Sequence, residues 1–186
     1  MRYRRLLVAM LVFPATVWAA EPKPDEVVNN PPFAIWSAFA PGTTVTQKET
    51  VKLPDGTRIE IDKTIKLLEK TKDKVVLEAV VKDSIGGTAE SETTVTAFPA
   101  KVKRSDVDTP RDSLASFTEG KEQVDVKGKK VEAEWVEVSS TSGGETTTEK
   151  TWSVRDVPGG VVKQTIVRKK GDKIVSESLL ELVEFK

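Results

Sequence analysis

The sequence predicts an all-β protein: an antiparallel meander of about nine strands, curled into an open sheet or half-barrel, with one short N-terminal helix packed on it. Three observations predict it. From Thr43 onward, apolar and polar residues alternate at period two. Turn signals such as "PDGT" (54–57), Gly86-Gly87 and "KKGDK" recur at nearly regular intervals. Ahead of them, "FAIWSAFA" carries aromatics three residues apart, a helical spacing.

The first residues, "MRYRRLLVAMLVFPATVWAAEPKP", set three arginines before a largely apolar run from Leu6 to Ala20. A charged start, an apolar middle and a small-residue end make a secretory signal, expected here over residues 1–19. Cleavage after Ala19 puts Val17 at the third position back; cleavage after Ala20 would put bulky Trp18 there. The run is short for a bilayer span of about 20 residues, and it contains Pro14. The expected product is periplasmic or secreted and is not an integral membrane protein.

Three arginines and no acid leave with that segment, so a chain of 29 basic and 29 acidic residues is left with a formal charge of −3. Nucleic-acid binders show the opposite, a basic surplus gathered on one face, so nucleic acid is not an expected partner. The remaining length suits one domain with a substantial core. There is no Cys and no His, and the single Tyr and both Met lie within residues 1–19. Disulfides, a lipid-bearing cysteine, histidine catalysis, histidine zinc sites and cysteine nucleophiles are thereby excluded. Carboxylates, Lys, Arg, Ser and Thr carry whatever chemistry there is.

Residues 20–42 read as an N-terminal arm and the short helix, and residues 43–186 as one β domain. In the arm, "AEPKPDEVVNNPP" is polar and proline-rich, the composition of a linker. Pro31-Pro32 and Pro41-Gly42 then confine Phe33 to Ala40 to about two helical turns. Phe33, Trp36 and Phe39 share one stripe of that helix. Such a stripe suits covering the apolar face of a sheet, or closing over a ligand.

The first long strand is "TTVTQKETVKL". After "PDGT", Ile59, Ile61, Ile65 and Leu67 face one way while Arg58, Glu60, Asp62 and Lys66 face the other, as on a strand with one wet face. "KTKDK" turns into a third strand with Val75, Leu77, Ala79 and Val81 inward. Gly86-Gly87 leads to a Thr-rich fourth, "TAESETTVTAFPAKVK". Residues 104–119 break the alternation and are expected to form a long connection with a helical turn near Leu114 and Phe117. Connections of that length cross a fold or serve a site.

"EQVDVKGKKVEAEWVEV" resumes the pattern as a hairpin turning at Lys127-Gly128-Lys129. "STSGGETT" turns into the strand that ends at Trp152, and Val161 to Phe185 forms the last hairpin. Leu179, Leu180, Leu182 and Val183 do not alternate, which predicts a final strand buried on both faces. The corner "RDVPGG" joins two strands: Pro158 fixes φ, and Gly159-Gly160 supply backbone freedom.

No phosphate loop, nucleophile elbow, EF-hand loop or dinucleotide fingerprint occurs. Glu132, Glu134 and Glu137 surround Trp135, in the manner of solvated strand carboxylates. No catalytic, cofactor-binding or metal-binding residue is expected, and the chain reads as non-enzymatic. The aromatics Phe33, Trp36, Phe39, Trp135 and Trp152 are the candidate ligand-facing residues. Basic residues gather at Lys101, Lys103 and Arg104, at Lys127, Lys129 and Lys130, and from Arg168 to Lys173. Brought together, these groups would suit an anionic lipid or polysaccharide.

"PGTTVT", "TIKLLEKTKDKVVLE", "KGKKVEAEWVE" and "TWSVRDVPGGVVK" resemble a family of exported bacterial proteins of uncharacterised activity, marked by the pattern W-S-x-x-x-V-P-G-G-V-V-K. The order of signal peptide, aromatic helix and curved meander also resembles the bacterial lipoprotein-carrier and receptor superfamily, whose members hold acyl chains inside a half-barrel. That resemblance implies an apolar or amphiphilic, lipid-like ligand between sheet and helix, with a lipid or other envelope component as partner. The competing expectation is a structural or interaction protein of the cell envelope with a filled core and no small-molecule site. Cavity volume separates the two, since ligand sites enclose about 300–1,000 Å³.

Overall fold

The computed structural model describes residues 26–85, 88–107 and 116–186. The expected signal segment, the Gly86-Gly87 turn and Leu114 lie outside the described residues. In chain order the elements are β1 (Val27–Asn29), α1 (Pro31–Trp36), β2 (Thr44–Lys52), β3 (Arg58–Lys70), β4 (Lys74–Ile85), β5 (Thr88–Pro99) and β6 (Lys101–Lys103). A 3₁₀ turn (Arg104–Asp106) precedes β7 (Ser116–Val126), β8 (Lys129–Ser142), β9 (Glu145–Ser153), β10 (Val161–Lys170) and β11 (Lys173–Phe185).

Nine of these strands form one antiparallel sheet in the order β5-β4-β3-β2-β11-β10-β9-β8-β7. It is curved and does not close. Two meanders meet where the last strand, β11, lies beside β2, so β5 and β7 become the opposite edges. Of the connection between these edges, expected over residues 104–119, residues 108–115 lie outside the described residues. Strand β6 pairs with β1, and Arg104 reaches Glu26 at 2.9 Å. The arm thus contributes a strand that its proline-rich composition did not announce.

Three local expectations are corrected. The helix spans Pro31–Trp36 rather than Phe33–Ala40, with both prolines inside its first turn. A proline is tolerated there because its missing N–H has no intrahelical partner anyway. Phe117 sits in β7, opposite Val138, and not in a helical turn; pairing with β8 overrides the weak local pattern. The final strand is not buried on both faces: Leu180 and Leu182 are buried, but Val183 and Phe185 are exposed. Leu180 and Leu182 alternate with exposed Glu181 and Val183, and a bulge follows between Leu182 and Glu184.

Residues directly opposite in an antiparallel pair point to the same side. Ile65 stands opposite Val45, and Leu67 opposite Leu77. Trp36 of α1 packs with these four against this side, with Val75 in the same cluster, and is 0% exposed. This is the inner face. The corner after β9 closes the same end: Val157 and Pro158 are buried, and Gly159 and Gly160 both have φ 76°. Among the described residues, no helix is long and apolar enough to cross a membrane.

Candidate functional site

The inner face can be followed across the sheet by register. Lys63 is opposite Gln47, Gln47 opposite Leu182, Glu49 opposite Leu180, and Leu180 opposite Gln164. Gln164 is opposite Thr151, Ser153 opposite Glu134, and Glu134 opposite Lys121. The strands beyond β10 thus turn the Lys121, Glu134 and Ser153 positions toward the side on which α1 lies.

Between α1 and that wing of the sheet opens a cleft of about 690 Å³. Its helix wall is apolar, formed by Pro31, Ala34 and Ile35 of α1 and by Ala38 in the turn that follows it. Its strand wall is charged: Lys121 of β7 stands over Glu132 and Glu134 of β8, with its Nζ 3.7 and 3.5 Å from their carboxylates. The end of β9 and the start of the corner complete it with Ser153, Val154, Arg155 and Asp156. The Ser153 hydroxyl oxygen is buried and has no hydrogen-bond partner. Among the described residues, Arg155 has no carboxylate within 4 Å.

The five predicted ligand-facing aromatics belong to one apolar cluster, Trp36 and Trp152 buried in it and Phe33, Phe39 and Trp135 packed against it, and none lines this cleft. Trp36 fills the core beneath α1, with Phe39 edge-on to it at 6.4 Å and Phe33 packed against the same cluster. Trp135 and Trp152 are direct cross-strand partners. Trp152 is buried in the same apolar cluster as Trp36, and Trp135 packs against that cluster. Lys150 lies over both indoles, 4.1 Å from the Trp135 ring centre and 4.6 Å from that of Trp152. The Trp152 Nε1 donates to a Glu122 carboxylate oxygen, whose partner oxygen is 3.5 Å from Lys150. This is a self-satisfied structural cluster.

The inner face also carries buried polar groups. Lys63 is only 8% exposed, and burial lowers its pKa, opposed by the charge of Glu49. Glu49 accepts a hydrogen bond from the Ser178 hydroxyl, and the Gln47 amide donates to the Val161 carbonyl at 3.1 Å. Burial raises the pKa of Glu149, whose Oε1 accepts from Gln164 at 2.8 Å and from Thr151 at 3.2 Å. Strict alternation already places Lys63 inward, between Ile61 and Ile65. By contrast, nothing in the sequence beyond their nearness to the corner marks Ser153 and Arg155.

The three basic groups do not converge. The Lys127–Lys130 turn joins β7 to β8 and the Arg168–Lys173 turn joins β10 to β11, three strands on in an antiparallel meander, so they lie at opposite ends of the sheet. Lys101 is taken up by Asn29 at 2.7 Å. Among the described residues, no three His, Cys, Asp or Glu side chains cluster so as to hold a metal ion.

No family model matches this chain, and no curated protein does. Among solved structures, it is similar to a Bacteroides fragilis protein described as exported and of YmcC-like fold, at 12% identity and a TM-score of 0.45, over 79% of this chain and 96% of that one. It is also similar to an S-type phycobiliprotein lyase of Guillardia theta (11% identity, TM-score 0.35, covering 79% and 89%). A LolA superfamily protein of Nitrosomonas europaea shares 9% identity at a TM-score of 0.24, covering 78% and 86%. No ligand and no activity passes from these proteins to this chain.

Proposed function

We propose that this chain is an exported, non-enzymatic envelope protein that binds an amphiphilic, lipid-like ligand in the cleft between α1 and strands β7–β9. The cleft carries the reading: about 690 Å³, within the range of small-molecule sites, with one apolar wall and one charged wall. An amphiphile laid in it buries its chain along Ala34, Ile35 and Ala38 and keeps its polar end toward the strands. The ligand lies beside the helix and not under it, because Trp36 already fills the space beneath. That same filled space favours the second reading, a structural or interaction protein of the envelope.

Native mass spectrometry of the protein purified from its own envelope, with titration of a fluorescent fatty-acid probe, tests the proposal. Ala38→Trp supplies the contrast, since Ala38 is exposed on the helix wall and a larger side chain there fills the cleft without entering the core. The parent is expected to bind the probe, and Ala38→Trp to lose most of that binding at unchanged stability. A parent that binds no probe and carries no lipid leaves the filled-core reading standing.

A further inference from the structure

The end of β9 and the corner after it bring a buried hydroxyl without a partner and an exposed guanidinium to one cleft. The Ser153 hydroxyl is buried without a hydrogen-bond partner, a condition that costs about 1–3 kcal/mol for a polar group. A serine χ1 has three staggered positions, so a change of rotamer is the route by which this oxygen would turn toward the cleft its residue lines. Two residues on, Arg155 lines the same cleft with no carboxylate within 4 Å among the described residues. The other cation, Lys121, is already neutralised by Glu132 and Glu134 at 3.7 and 3.5 Å. Asp156 is the remaining charge in the lining, adjacent to Arg155 in the chain but not paired with it.

We infer that the amphiphile taken by this cleft carries an oxyanion, a carboxylate or a phosphate, held by the Arg155 guanidinium with the Ser153 hydroxyl as second donor. The inference rests on the cleft being the ligand site and specifies the chemistry of the ligand's head. A guanidinium offers two parallel N–H groups to the two oxygens of such a head, and hydrogen bonds to a charged acceptor are the strong ones. Lys121 offsets one of the two charges of Glu132 and Glu134, so the Arg155 guanidinium holds the head against the negative charge that remains on the strand wall. The apolar tail then runs along Ala34, Ile35 and Ala38.

Competition against a bound fluorescent probe with lauric acid, dodecyl phosphate, dodecyl maltoside and dodecyltrimethylammonium tests the inference, on the parent, Arg155→Gln and Ser153→Ala. The parent is expected to prefer the two anions over the neutral and cationic amphiphiles, with a preference that shrinks as salt rises. Which anion binds tighter tells a fatty-acid head from a phospholipid-like one. Arg155→Gln is expected to weaken both anions about tenfold, leaving dodecyl maltoside unchanged. Ser153→Ala is expected to weaken the anions severalfold while melting no lower than the parent, since the orphaned oxygen is gone. Equal binding of all four amphiphiles by parent and Arg155→Gln overturns the oxyanion inference and leaves the cleft as a site. Failure of the parent to bind any of them, with Ala38→Trp indistinguishable from it, removes the cleft reading itself.

Discussion

The indole of Trp36 lies against the α-carbon of Gly159: a β-carbon there would stand 3.3 Å from Cζ2 and 3.7 Å from Cε2 and Nε1. Helix and corner are therefore packed as one unit, and "VPGG" does more than reverse the chain. At Gly160 the nearest atom to an added β-carbon would be Ile35 Cδ1 at 3.7 Å, an ordinary contact. Both glycines have φ 76°, a left-handed conformation that side chains rarely adopt.

Gly159→Val is accordingly expected to destabilise the fold by about 1–3 kcal/mol, from backbone strain together with the clash against Trp36. Gly160→Val carries the strain with a softer contact and is expected to cost less. Urea melts of the two variants check both the size and the order. Parent-like melting of both would show that the corner is not a strained docking point for the helix.

Truncating the other partner removes the packing directly. Trp36 is fully buried, and its Nε1 has no hydrogen-bond partner, so its contribution is volume and apolar area. Trp36→Ala is expected to cost about 3–5 kcal/mol, the usual consequence of opening a large hole in a core. A loss below about 1 kcal/mol in a denaturant melt would mean that α1 is a loosely held lid, contrary to its burial.

The sheet was legible because alternation is a direct imprint of one wet and one dry face. Ile61, Ile65 and Leu67 turn inward as read, and Arg58, Glu60, Asp62 and Lys66 are exposed. What escaped was long-range pairing. No local feature says that β11 returns to lie beside β2, and so the two edges could not be placed. The candidate site escaped for a related reason. Trp152 is conspicuous in sequence, but it is buried in the apolar cluster, and Ser153, next to it, is the residue that lines the cleft.

Lys63 offers a test of how dry the inner face is. Burial depresses its pKa below the ordinary 10.5. The unfolded chain then holds more protons between the folded and unfolded values, so stability rises with pH across that alkaline window and the full penalty applies below it. Lys63→Met keeps most of the aliphatic stem and removes the ammonium. The variant is expected to be more stable than the parent at neutral pH by about 1 kcal/mol or more, and to lack the rise just below pH 10.5. Urea melts at neutral and alkaline pH check this; a Met variant weaker than the parent at neutral pH would show that the Glu49 charge outweighs the burial.

Glu149 runs against the common behaviour of carboxylates. Burial, the larger cause, lifts its pKa above 4.5, and the hydrogen bonds from Thr151 and Gln164 pull it back only in part. With the folded value above the unfolded one, the native state holds more protons between the two. The stabilisation is therefore complete below 4.5 and is lost as pH rises through the folded pKa. Glu149→Gln preserves an amide oxygen to accept from the Gln164 amide and the Thr151 hydroxyl, at 2.8 and 3.2 Å in the parent, while removing the charge. It is expected to melt above the parent at neutral pH and to approach it as the acid window is entered. Glu149→Ala, which deletes the acceptor and strands both donors, separates charge from hydrogen bonding by falling below the parent at every pH. Thermal melts of the three proteins from acid to neutral pH read the difference. A Gln variant that is less stable than the parent at neutral pH would mean that the ionised carboxylate is the better partner for its two donors, and that burial does not dominate there.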